Sequence, residues 1–397
     1  MHDFSIQREK LAQAVAILNE KGIDAWLTFV RETSHNADPA LGLIVGSDVT
    51  WHSAFIVTRT GRKIAIVGRY DVDNIQSIGG YDQVIGYDKR IQPALLSTLG
   101  ELNVTQIAVN YSESDSAADG LSHGMYLTLQ RYFEGTPYQL TSAEVLLNAL
   151  RGRKSPGEIE RIRAAVKLTE TVIEEITAYL KPGLSEADIY TFVHERFKIY
   201  GVVPSWEPKY CPIVNCGPDS VIGHAGANPK LLATAGQVIH IDLGVKLNDY
   251  ISDIQRVWYL QPKEETSLPA PVQHAFDSVR KAIESAATIL KPGVVGWQVD
   301  AAARDSIVAS GYPEYQHAVG HHIGRTVHDG STLLGPRWER YGKSPEGIVE
   351  AGNIFTLELG AHVPGYGIVS LEEDVLVTDH GLEWVGKPQT GMMIVSV

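Results

Sequence analysis

The chain has 397 residues, of which 44% are hydrophobic and 20% charged, and its formal net charge is −13 at neutral pH. That length exceeds the size at which one hydrophobic core keeps growing, so two domains are expected. The acidic balance, with no Lys or Arg tract, argues against nucleic acid or an anionic membrane as partner, and no window approaches the roughly 18 apolar residues of a membrane span.

The opening "MHDFSIQREKLAQAVAIL" alternates charged with apolar residues at helical spacing. It lacks the basic, apolar and cleavage regions of a secretory signal, so a first helix and a cytoplasmic address are expected. Short β-rich runs follow: "AWLTFV", "SAFIVTRTGRKIAIVG" with Thr60-Gly61 at a hairpin turn, "QVIGYD" and "QIAVNY". They read as a small α/β domain over residues 1–150. Ser155, Pro156 and Glu158 then supply an N-cap, a first-turn proline and a capping-box acid, which opens a second unit over residues 151–397. Cys211 and Cys216 are too few for a zinc knuckle or a disulfide framework and read as reduced, buried small residues.

The second unit contains an internal repeat. "LKPGLSEADIYTFVHERFKIYG" (180–201) and "LKPGVVGWQVDAAARDSIVASG" (290–311) align without a gap at an offset of 110 residues, and "IHIDLG" (239–244) is echoed by "FTLELG" (355–360). Two matching strings in the same order indicate a duplicated half of helices followed by a β-hairpin, with the hairpins near a pseudo-two-fold axis.

Each hairpin carries acids. In "QVIHIDLGVKLNDYISDIQRVWYLQ", a two-residue turn at Leu247-Asn248 sets Asp242 directly opposite Asp253. In "NIFTLELGAHVPGYGIVSLEEDVLVT", a turn centred on Gly365 sets Glu358 directly opposite Glu372 and turns Glu373 to the other face. Like charges directly opposite on apolar strands are destabilising. Either the register slips by one residue and the acids fan out into solvent, or something positive sits between them; equivalent pairs in a duplicated unit favour the second. Four carboxylates and an imidazole suit divalent Mn²⁺, Co²⁺, Fe²⁺ or Zn²⁺.

On these residues, the C-terminal two-thirds resembles the pita-bread metallohydrolases, the family of methionine aminopeptidase, aminopeptidase P, prolidase and the metal-free creatinase. The N-terminal domain resembles the one carried by the last three. All five metal-ligand positions occur in family order: Asp242 in "IDLG", Asp253 in "SDIQR", His321 in "GHHIG", Glu358 in "TLELG" and Glu372 in "SLEED". The resemblance implies an α+β fold, with a pita-bread domain of pseudo-two-fold α/β halves behind a smaller creatinase-type α/β domain. It implies a dinuclear metal-dependent hydrolase, a peptidase cleaving Xaa-Pro bonds as prolidase or aminopeptidase P does, on small peptides and as a homodimer. Asp242 would chelate one ion, His321 and Glu358 the other, with Asp253 and Glu372 bridging. His224 in "VIGHAG" and His328 in "TVHDG" match positions that hold the scissile carbonyl or the tetrahedral intermediate, and Glu358 would also relay a proton. Two divalent cations, Mn²⁺ or Co²⁺ ahead of Fe²⁺ or Zn²⁺, would make a bridging hydroxide available near neutrality to attack the carbonyl.

The chain departs from that pattern at three places. Glu358-Leu359-Gly360 replaces Glu-Pro-Gly, Gln255 replaces a threonine, and Ser370 stands where prolidase and aminopeptidase P carry an arginine that grips substrate. Losing a planar charged donor would leave the substrate grip to Arg325, or to Arg337 and Trp338 in "GPRWERYG". The departures keep open a hydrolase or lyase acting on a small non-peptide metabolite, and a non-catalytic binding relative. Trp206 reads as core or pocket lining. Among the clustered histidines, His322 points away from His321 in an extended segment and reads as structural, with substrate contact as the alternative. His317 matches no functional position. His328 falls on the wrong face unless the chain bends at Gly324.

Overall fold

The amphipathic start forms a helix, Ser5–Lys21, closed by Gly22 in the left-handed conformation. The computed structural model describes every residue except Met1, His2, Ile222 and His224, and the chain divides into two units, Met1–Arg151 and Gly152–Val397. In the first, β1 (Ala25–Val30), β2 (Ser53–Thr58), β3 (Lys63–Gly68), β4 (Gln83–Tyr87), β5 (Gln106–Val109) and β6 (Gln139–Ser142) form one sheet in the order β4-β3-β2-β1-β5-β6. The β1–β2 and β2–β3 pairs are antiparallel and the others parallel. The run "AWLTFV" is buried throughout because helices cover both faces of β1. Trp26 and Val30 pack with Leu11, Ala14 and Leu18 of the first helix. Leu27 and Phe29 pack with Leu95, Leu99 and Leu129 of the helices Gln92–Leu102 and His123–Phe133.

In the second unit Ser155 caps the helix Pro156–Tyr179 through a reciprocal exchange: its side chain accepts from the Glu158 N–H, and the Glu158 carboxylate accepts from the Ser155 N–H at 2.8 Å. The helix Glu186–Tyr200 follows. The pair recurs as Ala270–Ile289 and Gly296–Ala309, so both copies of "LKPG" join a long helix to a shorter one. The strands are β7 (Val203–Pro204), β8 (Ile213–Cys216), β9 (Val238–Leu243), β10 (Val245–Leu247), β11 (Tyr250–Ile251), β12 (Ile254–Gln261), β13 (Gly320–His321), β14 (Leu333–Leu334), β15 (Ile354–Val363), β16 (Gly367–Thr378), β17 (Gly381–Trp384) and β18 (Met393–Ser396). The main sheet runs β15-β16-β12-β9-β8, with β17 on β16 and β18 on β12. The hairpins β9/β12 and β15/β16 therefore lie side by side through the antiparallel β12–β16 pair, as the duplication predicts.

The second hairpin has the expected register, Glu358 opposite Glu372, with Gly365 at φ 82° in its turn. The first does not. Its turn residues are Asn248 and Asp249, at φ 50° and 70°, the left-handed pair of a two-residue type I′ turn. Asp242 consequently faces Gln255, so Asp253 is displaced by two residues from the place opposite it. A shift of two preserves the face, so both acids still point the same way. Asn tolerates the left-handed region and a β-branched residue does not. Asn248→Val is therefore expected to destabilise the protein by about 1–2 kcal/mol, read as a lower midpoint in urea unfolding.

Alternation on β15 and β16 separates core from site. Leu357, Leu359 and Leu371 join Val279, Ile283 and Ala286 of the helix Ala270–Ile289 in one buried cluster. Glu373 shares that face and is neutralised there by Arg256 at 2.9 Å and Arg280 at 3.1 Å. Glu358, Ser370 and Glu372 point to the opposite side. Among the described residues no helix is long and apolar enough to cross a membrane.

Candidate metal centre

One row of direct neighbours crosses the main sheet: Ile213 of β8, Asp242 of β9, Gln255 of β12, Glu372 of β16 and Glu358 of β15. Directly opposed residues share a face, so three carboxylates and an amide point the same way, and Asp253, two residues from Gln255, joins them. Gly244 lets the Ser252 carbonyl approach closely, since a methyl group there would overlap it. His321 is brought alongside by β13. Its N–H donates to Thr356 Oγ1 at 3.2 Å, the Glu358 N–H donates to the Val319 carbonyl at 2.7 Å, and Gly320 lies so close to the Thr356 carbonyl that no side chain fits.

His321 Nε2 stands 3.6 Å from Glu358 Oε1 and 3.9 Å from both Asp253 Oδ2 and Glu372 Oε1. These separations are too long for hydrogen bonds. One ligand atom each from Asp253, His321 and Glu372 lie within 4.8 Å of one another. The other ring nitrogen, Nδ1, is 3.3 Å from the His322 carbonyl. A proton on Nδ1 donates there and leaves the Nε2 lone pair facing the acids. Burial, then the neighbouring His328, pushes His321 down to about 4, so its ring is neutral at pH 7.

The acids are shifted the other way. Burial raises Glu358 to about 7, against a lowering hydrogen bond from Gln255. Burial, followed by repulsion from neighbouring carboxylates, holds Asp242, Asp253 and Glu372 well above the usual range. Asp242 Oδ1 is buried without a hydrogen-bond partner. A site of mutually repelling carboxylates, an orphaned oxygen and an imidazole lone pair is costly until positive charge enters it. The donor set of oxygen and imidazole nitrogen suits a hard or borderline divalent ion, and donor atoms 3.6–3.9 Å apart can share one. The residues therefore fit a divalent cation.

The other residues singled out from the sequence lie in varied places. His328 comes to the centre: its ring is edge-on to His321, with centroids 4.7 Å apart. The chain achieves this by turning back beyond Gly324, so that the Asp329 N–H donates to the His322 carbonyl at 3.1 Å. The buried Asp329 carboxylate is held by Lys154 at 2.8 Å. His322 is buried against Phe355, with ring centroids 4.0 Å apart. His317 is exposed and touches the ring of Tyr315. Arg325 pairs with Asp249 at 3.3 Å and lies over the Tyr250 ring. Arg337 lies over Trp297, and Trp338 stacks on Tyr341. The Trp206 indole donates to the Tyr210 carbonyl. Cys211 and Cys216 are buried free thiols. His224 lies outside the described residues.

Two further residues lie at the centre. Gln255 occupies the middle of the acidic row, and His240 lies beside it, 3.0 Å from its amide oxygen. Burial, then the charges of Glu358, Glu372 and Asp242, pushes the Tyr315 phenol far up. Only Gln255 gave a sequence signal, as a departure from threonine.

A duplicated α+β domain with a row of acids across its central hairpins defines a metal-dependent hydrolase of the pita-bread fold. The profile of metallopeptidase family M24 matches residues 160–379, and the chain belongs to that family. It is 28% identical to an uncharacterized peptidase of Staphylococcus saprophyticus subsp. saprophyticus over 384 residues, covering 94% of this chain and 98% of the relative. It is 25% identical to an uncharacterized peptidase of Staphylococcus aureus (strain bovine RF122 / ET3-1) over 383 residues, 94% and 97% of the two chains. Among solved structures, the Xaa-Pro dipeptidase from Bacillus anthracis shares the fold at a TM-score of 0.73 and 23% identity, covering 98% of this chain and 100% of that one. The X-Pro aminopeptidase from Thermotoga maritima MSB8 does so at 0.71 and 23%, covering 97% and 99%.

Proposed function

We propose that this metallopeptidase is a dinuclear enzyme that hydrolyses the Xaa-Pro bond of small peptides. The observation that carries the reading is the convergence of His321 Nε2 with Glu358, Asp253 and Glu372 at 3.6–3.9 Å, on a face that also holds the orphaned Asp242 oxygen. Asp242, Asp253 and Glu372 would hold one cation; His321 and Glu358 would hold the other together with Asp253 and Glu372. Mn²⁺ or Co²⁺ is the proposed metal, and a cytoplasmic homodimer the working form. When bound, the cations polarise the scissile carbonyl and lower the pKa of water near neutrality.

The chain's own groups supply the rest. His321 offers a neutral ring whose Nε2 lone pair needs no deprotonation at pH 7. Glu358, on the face that would hold the cations, is placed to take a proton from the attacking water and return it to the leaving nitrogen. His328, beside His321, donates a hydrogen bond where charge develops on the carbonyl oxygen. His224 is assigned the same role from its sequence position. The fold shared with structures named Xaa-Pro dipeptidase and X-Pro aminopeptidase supports the proline preference.

The test is release of proline, or of a residue preceding proline, from a panel of Xaa-Pro dipeptides and longer peptides by Mn²⁺-loaded protein. Turnover confined to Xaa-Pro bonds is expected. Full metal occupancy with no peptide turnover would remove the proline specificity and turn attention to small non-peptide substrates.

A further inference from the structure

Gln255 stands between Asp242 and Glu372 in the row, and its side-chain amide uses its full bonding capacity. Its nitrogen donates to Glu358 Oε2 and Glu372 Oε2, both at 2.9 Å. Its oxygen accepts from Ser370 Oγ at 2.7 Å and lies 3.0 Å from His240 Nε2. The partners decide which way the amide points, because two carboxylate acceptors flank one end and a hydroxyl and an imidazole the other. The other ring nitrogen of His240, Nδ1, lies 2.9 Å from Asn215 Oδ1, and a neutral ring donates through only one of its two nitrogens; the Asn215 amide itself donates to the Val221 carbonyl at 3.0 Å. Asn215, His240, Gln255 and Ser370 are all buried, so water does not compete for these bonds.

The consequence is geometric. Glu358 and Glu372 are direct neighbours, and each uses one oxygen toward Gln255 and the other, Oε1, toward His321. Rotation of either carboxylate breaks its bond to the amide. The threonine of related chains has one hydroxyl donor and cannot serve both glutamates, whereas glutamine has two donors and an acceptor left for support. Ser370 meets that acceptor, so the departures at 255 and 370 form one paired feature.

We propose that Gln255 is a positioning residue of the cation centre, holding Glu358 and Glu372 with their Oε1 atoms turned toward His321, and that Ser370 acts through Gln255 to orient its amide. The inference rests on the reading that these carboxylates hold cations.

The experiment is calorimetric titration of chelator-stripped full chain with Mn²⁺, paired with the visible spectrum of the Co²⁺-loaded protein, for wild type, Gln255→Leu and Ser370→Ala. Gln255→Leu keeps the volume and removes both donors. It is expected to weaken Mn²⁺ binding about 10–100-fold and to alter the Co²⁺ bands. Ser370→Ala, which leaves the glutamates and Gln255 in place, is expected to weaken Mn²⁺ binding about 2–10-fold. Wild-type affinity and spectrum in a folded Gln255→Leu protein would overturn the proposal. If that variant does not fold, wild-type binding by Ser370→Ala overturns it. Absence of Mn²⁺ uptake by the wild type would instead overturn the proposed function, and this inference with it.

Discussion

His321→Ala is expected to reduce both cation affinity and peptide hydrolysis by at least ~100-fold, because loss of a mere outer partner of a metal ligand already costs about 10–100-fold. Among the described residues, His321 supplies the one nitrogen in the group of converging ligand atoms, and its Nε2 is the point on which Glu358, Asp253 and Glu372 converge. Alanine leaves three acids with the same mutual repulsion and one ligand fewer. Direct comparison of bound metal per chain and of kcat/KM against wild type checks this, with far-UV circular dichroism showing that the fold is kept. A folded His321→Ala protein with wild-type metal content and turnover would remove His321 from the centre.

The second large effect is a dependence of stability on pH that metal reverses. Asp242, Asp253, Glu358 and Glu372 have raised values in the folded protein. Each therefore contributes stability that is present below the ordinary carboxylate range and is lost as pH rises through the folded value, about 7 for Glu358. His321 works in the opposite sense: its value is lowered to about 4, so its contribution is present above 6.5 and is lost as pH falls through about 4. The metal-free protein is expected to be most stable in mildly acidic solution and to weaken toward about pH 8. Divalent cations compete with protons for the same oxygens, so their stabilisation grows with pH. It reaches about 4 kcal/mol when free cation exceeds its dissociation constant a thousand-fold. Thermal melts at about pH 5.5 and pH 8, with and without Mn²⁺, check this. An equal metal-induced gain at both values would contradict it.

What the sequence made legible follows from how local each feature is. The register of β15 and β16 depends on a turn at Gly365, a residue whose freedom is visible in the sequence, and Glu358 does face Glu372. The register of β9 and β12 depends on Asn248 and Asp249 both taking positive φ. Placing that turn one residue early moved Asp253 by two positions along its partner strand without changing its face. His328 illustrates the non-local part. Seven residues of unbroken strand would carry it away from His321, and the turn that returns it depends on Lys154, far away in the chain, pairing with Asp329 in the interior. Gln255 and His240 stand inside "SDIQR" and "IHIDLG", but their places at the centre follow from cross-strand neighbours and packing that only the assembled sheet brings together.

The proposed role of these acids and His321 is to hold cations. It is tested most directly by elemental analysis of the Mn²⁺-saturated chain after excess metal has been removed by gel filtration. Two Mn²⁺ per chain, one for each set of carboxylates, is the expected result; a chain that emerges with none would contradict it.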